Sequence, residues 1–134
     1  MSSIFTKIIQ REIPAHIVAE DLQHIAFLDI RPVSLGHTLV VPKVEVDYLF
    51  DLDEATYQSL HGFARKVALA IEKVVDCKRI GTAVVGLEVP HVHIHLIPMN
   101  SMSDFSFSKA KLQLSQDELA DMASKIQEAF NNLY

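Results

Sequence analysis

Five short segments of the chain are rich in apolar and β-branched residues and are bounded by Gly, Pro or polar turns, as is typical of strands. They cover residues 16–19, 24–30, 37–41, 79–86 and 91–97. The first two are separated by the polar pair Glu20-Asp21, which predicts a hairpin. Pro42 and Pro98 are predicted to end the third and fifth strands.

Two longer segments have apolar residues at three- and four-residue spacing, which is typical of amphipathic helices. The first begins at Asp53, a suitable N-cap, and is predicted to end near Val75. The second begins with Ser115-x-x-Glu118, the pattern of a capping box. A short amphipathic segment at 4–13 is stopped by Pro14, and residues 100–111 read as a loop.

The order of these elements predicts an α+β fold, with a five-stranded antiparallel sheet and two main helices. The length of 134 residues fits one domain, covering 1–134, and 49% hydrophobic residues are enough to form a core. No repeat or linker divides the chain.

Composition excludes several classes of protein. The formal net charge of −5 argues against a nucleic acid polymer as partner, although a single nucleotide in a pocket is allowed. One cysteine, Cys77, excludes an internal disulfide framework. The longest stretch without Asp, Glu, Lys or Arg, 89–103, is too short and polar to span a membrane, so we expect none. No secretion signal is recognisable, which predicts a cytoplasmic protein.

Histidine is the most informative residue type, because three of the seven lie within five residues, at His91, His93 and His95. Alternate residues of a strand point to one face, so these three form a row while the apolar residues between them face the core. A row of imidazoles has no packing rationale, since every ring has two nitrogens that need partners. His16, His24 and His61 are interpreted as ordinary structural or surface residues.

Two chemical interpretations of the row remain open on the residues alone. Three imidazoles can hold a catalytic zinc ion, but this row spans roughly 13 Å at about 3.3 Å per residue, so a single ion would need a ligand from elsewhere. Alternatively, one histidine is a nucleophile and its neighbours stabilise charge and protonate a leaving group. The absence of Asp, Glu or Cys from the row favours the nucleophile slightly.

The segment His91-Val-His-Ile-His95-Leu-Ile-Pro98 resembles the signature of the histidine triad (HIT) family of nucleotide hydrolases and transferases. Further segments resemble the family in the same order: 4–14, Glu20-Asp21, 26–30 and 36–43. The resemblance covers most of residues 3–98. It implies the HIT-like fold and a homodimer whose sheets join edge to edge.

The resemblance also implies roles for individual residues. His93 would attack the α-phosphorus of a nucleotide, His95 would give a proton to the leaving group, and His91 and His37 would complete the phosphate site. Asp29 would bind the ribose. The apolar wall around the base would consist of Ile4, Phe5, Ile8 and Phe27, although plain core packing is an equally good interpretation of these four.

The chain departs from the family pattern in two places. Many members have a Cys-x-x-Cys pair that contributes to a structural zinc site, but here these positions read Ser3-Ile4-Phe5-Thr6, so we expect no metal and no cofactor. Before the triad, polar phosphate contacts are replaced by Leu87 and Glu88, and a carboxylate beside a phosphate would repel it.

The sequence therefore predicts a nucleotide hydrolase or nucleotidyl transferase that forms a nucleotidyl-histidine intermediate. The expected substrates are nucleoside phosphoramidates, nucleotidyl adducts or dinucleoside polyphosphates. A nucleotide-binding regulatory protein with little activity is the alternative from another class, and a metal-dependent hydrolase is the third.

Overall fold

The computed structural model, which describes residues 2–134, contains one five-stranded antiparallel sheet. The strands are β1 (Ile17–Glu20), β2 (His24–Leu28), β3 (Thr38–Pro42), β4 (Arg79–Ala83) and β5 (Ile94–Met99). Their order across the sheet is β1-β2-β3-β5-β4, so β1 and β4 form the two edges. The predicted α+β fold is confirmed.

Two long helices, α2 (Glu54–Val74) and α3 (Gln116–Leu133), cover one face of the sheet. Asp53 caps α2 by accepting a hydrogen bond from the Thr56 amide at 2.7 Å, and Ser115 and Glu118 form the predicted capping box of α3. Their apolar faces bury the larger core of the protein against the sheet. Within residues 2–134, none of the helices combines the length and the apolar composition that crossing a membrane requires.

The opposite face of the sheet is covered only in part, by the short helix α1 (Ile4–Ile9). Phe5 and Ile8 of α1 pack there on a smaller apolar cluster from β2 and β3, formed by Ile25, Phe27, Leu39 and Val41. Helix α1 ends well before Pro14, and Arg11 has a positive φ of 64°. The sheet is therefore covered by two long helices on one face, whereas α1 covers part of the other.

Strand β5 differs from its prediction at both ends. It begins at Ile94 because its pairing with β3 covers only residues 94–96, and it continues through Pro98, which pairs with Ile80 of β4. Beyond Leu96 the β3 side of β5 has no ladder partner, so the missing N–H of Pro98 removes no hydrogen bond there. The expectation that Pro98 ends the strand is wrong.

Gly36 and Gly62 provide a matched pair of substitutions for the packing beside the site. Gly36 has a φ of +87°, and a Cβ there would lie 2.8 Å from Val75 Cγ2 and 3.2 Å from Pro98 Cγ, whereas a Cβ at Gly62 would meet nothing within 4 Å. Gly36→Ala is expected to lower the free energy of unfolding by about 1–3 kcal/mol. Gly62→Ala in the middle of α2 is expected to raise it by about 0.5–1 kcal/mol. Urea unfolding measures both, and a Gly36→Ala protein as stable as the wild type would contradict the packing argument.

Candidate functional site

The three histidines of the row lie on the face of the sheet that carries α1, as the alternation predicts. The intervening apolar residues belong to the core under α2 and α3: Val92, Ile94 and Leu96. His91 and His93 precede β5, in a segment that is held by a hydrogen bond from the Val92 amide to the Val46 carbonyl at 2.8 Å. The row is therefore preserved although only His95 lies within the regular strand.

One ring nitrogen of His93, Nδ1, is hydrogen-bonded within the protein. Its Nδ1–H donates a hydrogen bond to the backbone carbonyl of His91 at 2.7 Å. In a neutral imidazole this leaves the lone pair on Nε2. The ring is packed edge-on between Phe5, with centroids 5.0 Å apart, and His95, with centroids 4.9 Å apart. His93 therefore has one ring nitrogen, Nε2, whose lone pair is not used in a hydrogen bond to Nδ1's partner or to the packed rings.

His37 and His95 are hydrogen-bonded to each other. A backbone contact to His37 determines which ring nitrogens carry the protons. The Val33 amide donates to His37 Nδ1 at 3.1 Å, so the proton of this ring lies on Nε2. From there it is donated to His95 Nδ1 at 3.0 Å. His95 must then carry its own proton on Nε2. His95 thus offers an N–H beside the free lone pair of His93.

Burial keeps these rings uncharged. Desolvation, followed by the charge of His95, lowers the pKa of His37 to about 3. Desolvation, followed by the charge of His93, lowers the pKa of His95 to about 4. Burial is also the main cause of a lowered pKa at His91. At neutral pH all three are therefore neutral hydrogen-bonding groups rather than cations.

The ring of His91 is fully occupied by protein groups. Its Nε2–H donates to the Pro42 carbonyl at 2.8 Å, and its Nδ1 accepts from the Ser3 hydroxyl at 2.7 Å. His37 is likewise satisfied on both nitrogens, and both residues are buried. Neither ring therefore keeps a free nitrogen in this arrangement of hydrogen bonds.

Ser3, Thr6 and Glu45 form a polar network behind His91. The Thr6 amide donates to Ser3 Oγ at 3.0 Å, which caps α1, and Glu45 Oε1 accepts from the Ser3 amide and from the Thr6 hydroxyl, both at 2.6 Å. These hydrogen bonds lower the pKa of Glu45. Ser3 and Thr6 occupy the positions where the family pattern has Cys-x-x-Cys, so hydrogen bonds join α1 to the row here. The sequence reasoning missed this role, and Ser3 could have been recognised as an N-cap.

Asp29 lies between β2 and β3 at the edge of the histidine cluster. Its Oδ1 accepts from the Arg31 amide at 2.8 Å, and its Oδ2 lies 3.7 Å from His37 Nε2. Burial is the main cause that raises its pKa, and the Glu88 carboxylate adds to it. Oδ2 remains available to a hydroxyl ligand.

The residues predicted as a base-binding wall divide into two groups. Phe5, Ile8 and Phe27 are buried in the smaller core, where the Phe5 and Phe27 rings meet edge-on at 5.4 Å. Ile4 is 49% exposed. The three buried residues support the site from below, and Ile4 offers an open apolar surface on α1.

Asp29, His37 and His95 bring one donor atom each within 4.8 Å of one another, a spacing that suits a metal ion. Binding through His37 Nε2 would move the proton of that ring to Nδ1, where it would oppose the Val33 N–H. The Val33 contact therefore favours a proton, rather than a metal ion, between His37 and His95.

Residues 105–112 cross the histidine cluster, and the sequence predicted 100–111 only as a loop. The Phe107 ring lies edge-on to His95 with centroids 4.7 Å apart, and Lys111 Nζ donates to the Phe107 carbonyl at 2.9 Å. No local pattern marks either residue, because both reach the site through the tertiary fold.

Comparison with known proteins identifies relatives along most of the chain. A family model described as HIT domain matches residues 10–102. An uncharacterized HIT-like protein of Borreliella burgdorferi is 32% identical over 92% of this chain and 94% of its own length. An adenosine 5′-monophosphoramidase of Schizosaccharomyces pombe is 35% identical over 73% of this chain and 74% of its own.

The fold matches solved structures of the same group. A crystal structure of a Hit-like protein from Bartonella henselae superposes with a TM-score of 0.83 and 32% identity, over 96% of both chains. A zinc-bound histidine triad family protein from Mycobacterium smegmatis has a TM-score of 0.82 and 25% identity, over 99% of this chain and 96% of that one.

The low pKa of buried His37 predicts a pH-dependent stability. An unfolded histidine titrates near 6.5 and the folded one at about 3, so between these values only the unfolded chain takes up the proton and stability falls with falling pH. Relative to His37→Gln, the wild type should lose about 1.4 kcal/mol per pH unit from pH 6 to pH 4. Urea unfolding at several pH values measures this difference, and equal slopes for the two proteins would contradict it.

Proposed function

The chain belongs to the HIT family, and from that premise we propose that it hydrolyses or transfers nucleotides by chemistry at the α-phosphorus. The substrates are nucleoside phosphoramidates, nucleotidyl adducts or dinucleoside polyphosphates, and the intermediate is a nucleotidyl-His93. One observation carries the proposal: the His91 carbonyl binds Nδ1–H of His93 at 2.7 Å and thereby leaves a lone pair on Nε2.

In the first step, His93 Nε2 attacks the α-phosphorus, an N–P bond forms and the bond to the leaving group breaks. His95 directs its Nε2–H at the leaving atom. The ring is neutral in the free protein, where its pKa is about 4. The negative charge of a bound phosphate raises that pKa, so the ring takes up a proton from solvent, gives its Nε2 proton to a leaving amine and is neutral again.

In the second step, water attacks the phosphorus and releases one proton to solvent, the N–P bond breaks and His93 regains its lone pair. The nucleoside monophosphate leaves. Between the two steps the His93 ring is positively charged, and the His91 carbonyl stabilises that charge through the hydrogen bond already present.

Asp29 and α1 are proposed to hold the nucleoside. Asp29 Oδ2 accepts hydrogen bonds from ribose hydroxyls, and Ile4 covers one side of the base above the buried Phe5. The name of the Schizosaccharomyces pombe relative makes adenosine 5′-phosphoramidate the first substrate to test.

We also propose a two-fold dimer of this chain through β4. Strand β4 is an edge of the sheet, so one row of its backbone groups has no ladder partner. Beside it, α2 and β4 enclose an open cavity of about 430 Å³ whose lining includes Ala64, Ala68 and Thr82. A second copy would pair with the edge and cover the cavity.

The nucleophile is tested by His93→Ala. Cleavage of adenosine 5′-phosphoramidate should fall by about 10³-fold or more, because no other group replaces the lone pair, while adenosine monophosphate should still bind. The matched control is His16→Ala, since His16 bonds Gln116 of α3 on the far side of the sheet. Turnover is measured by product release and binding by calorimetry. Activity that survives in His93→Ala would refute the nucleophile, and a wild type that binds without turnover would favour the regulatory alternative.

The dimer is tested by Ala68→Glu, which places a charge in the cavity that a partner would desolvate. Light scattering should give a mass of two chains for the wild type and one for this variant. Ala120→Glu, on the exposed side of α3, is the control and should remain a dimer. A monomeric wild type at micromolar concentration would overturn the proposal.

A further inference from the structure

The segment 105–112, here called the strap, is anchored at both ends. At its start the Phe105 ring covers β4 so closely that a Cβ on Gly81 would lie 2.8 Å from it. At its end the Leu112 amide donates to the Pro32 carbonyl at 2.9 Å, just after Asp29. The strap therefore runs from the sheet edge to the turn beside Asp29 and passes over the histidine cluster.

Lys111, near the C-terminal end of the strap, brings an ammonium group to the cluster. Lys111 Nζ donates to the Phe107 carbonyl at 2.9 Å and lies 5.6 Å from the centroid of the Phe107 ring. That ring is 4.7 Å from the ring of His95. The ammonium is thus no farther from His95 than about one Debye length at 0.1 M salt, roughly 10 Å.

The two lysines of the strap differ in their partners. Lys109 lies 3.7 Å from the Asp104 carboxylate. Lys111 has no carboxylate within 4.0 Å in the part of the chain that the structure describes, residues 2–134, and its one hydrogen bond goes to a carbonyl. Lys111 is consequently a cation that lies outside these ion pairs, at the rim of the site.

The charges at the rim add to or oppose the effect of burial in the cluster. Burial raises the pKa of Asp29; Lys111 opposes that shift and Glu88 adds to it. Burial lowers the pKa of His37 and of His95, and Lys111 adds to both shifts. The cation therefore acts on the His37–His95 pair, where the leaving group departs in the proposed reaction, as well as on Asp29.

We propose that Lys111 is a specificity-determining residue that favours substrates whose leaving group carries phosphate over those whose leaving group is an amine. The inference rests on the nucleotide hydrolase function proposed above. When His93 attacks a dinucleoside polyphosphate, the N–P bond forms, the P–O bond breaks and the departing phosphate keeps the electron pair. The Lys111 ammonium stabilises the negative charge of the departing phosphate, whereas it does not stabilise a departing amine, which carries no negative charge.

The test compares two substrates, diadenosine tetraphosphate and adenosine 5′-phosphoramidate, by kcat/KM. Lys111→Gln should lower the value for the tetraphosphate about 10-fold and that for the phosphoramidate less than about twofold. Lys111→Arg should retain the preference, because it keeps the charge. Lys109→Gln is the matched control and should leave both values unchanged. An equal loss on both substrates, or none on the tetraphosphate, would overturn the proposal.

A binding experiment separates this proposal from the function itself. In a His93→Ala background, Lys111→Gln should weaken ATP about 10-fold and adenosine monophosphate less than about twofold, measured by calorimetry. If the wild type cleaves neither substrate, the hydrolase function fails while this binding difference still supports a Lys111 contact to phosphate. Equal weakening of both nucleotides, or none, would reject it.

Discussion

Backbone hydrogen bonds to ring nitrogens are the interaction on which the whole site depends. The carbonyl of His91 accepts a hydrogen bond from Nδ1–H of His93, and the Val33 amide donates one to Nδ1 of His37, which therefore carries no proton. Since a neutral imidazole has one donor and one acceptor nitrogen, fixing one nitrogen determines the other. The result is a free lone pair on His93 and a free N–H on His95, in rings 4.9 Å apart. The two rings thus differ in which nitrogen carries the proton, because a carbonyl faces Nδ1 of His93 and an N–H of His37 faces Nδ1 of His95.

Those backbone groups are held in place by the sheet. Leu39 of β3 pairs with His95 of β5, and the end of β3 supplies the Pro42 carbonyl that binds His91. The turn before β3 is closed by a hydrogen bond from the Asp29 amide to the His37 carbonyl at 3.0 Å. Proton positions in the site therefore follow from strand register, and a shift in the pairing of β3 with β5 would change them together.

Sequence periodicity predicted the features that are determined by residues close together in the chain. The helices, their capping residues and the face of the histidine row follow from spacings of two to four residues, and all agree with the structure. The start of β5 does not follow from them, because it is decided by where pairing with β3 ends. Ser3 binds Glu45 and His91, which are 42 and 88 residues away in sequence, and no periodic pattern records such contacts. The Cys-x-x-Cys comparison identified the right positions but not the network that occupies them.

The burial of uncharged histidines suits a reaction in which charge appears late. Two of these rings are neutral because desolvation lowers their pKa, and this lowers stability in acid. A permanently charged site would bind substrate and transition state alike, which lowers KM without raising kcat. In the proposed mechanism His93 becomes cationic only as the N–P bond forms, and only then does its bond to the His91 carbonyl become charge-assisted. Because that interaction strengthens during the reaction itself, it contributes to kcat, and this is the advantage of building a phosphate site from imidazoles in an acidic chain.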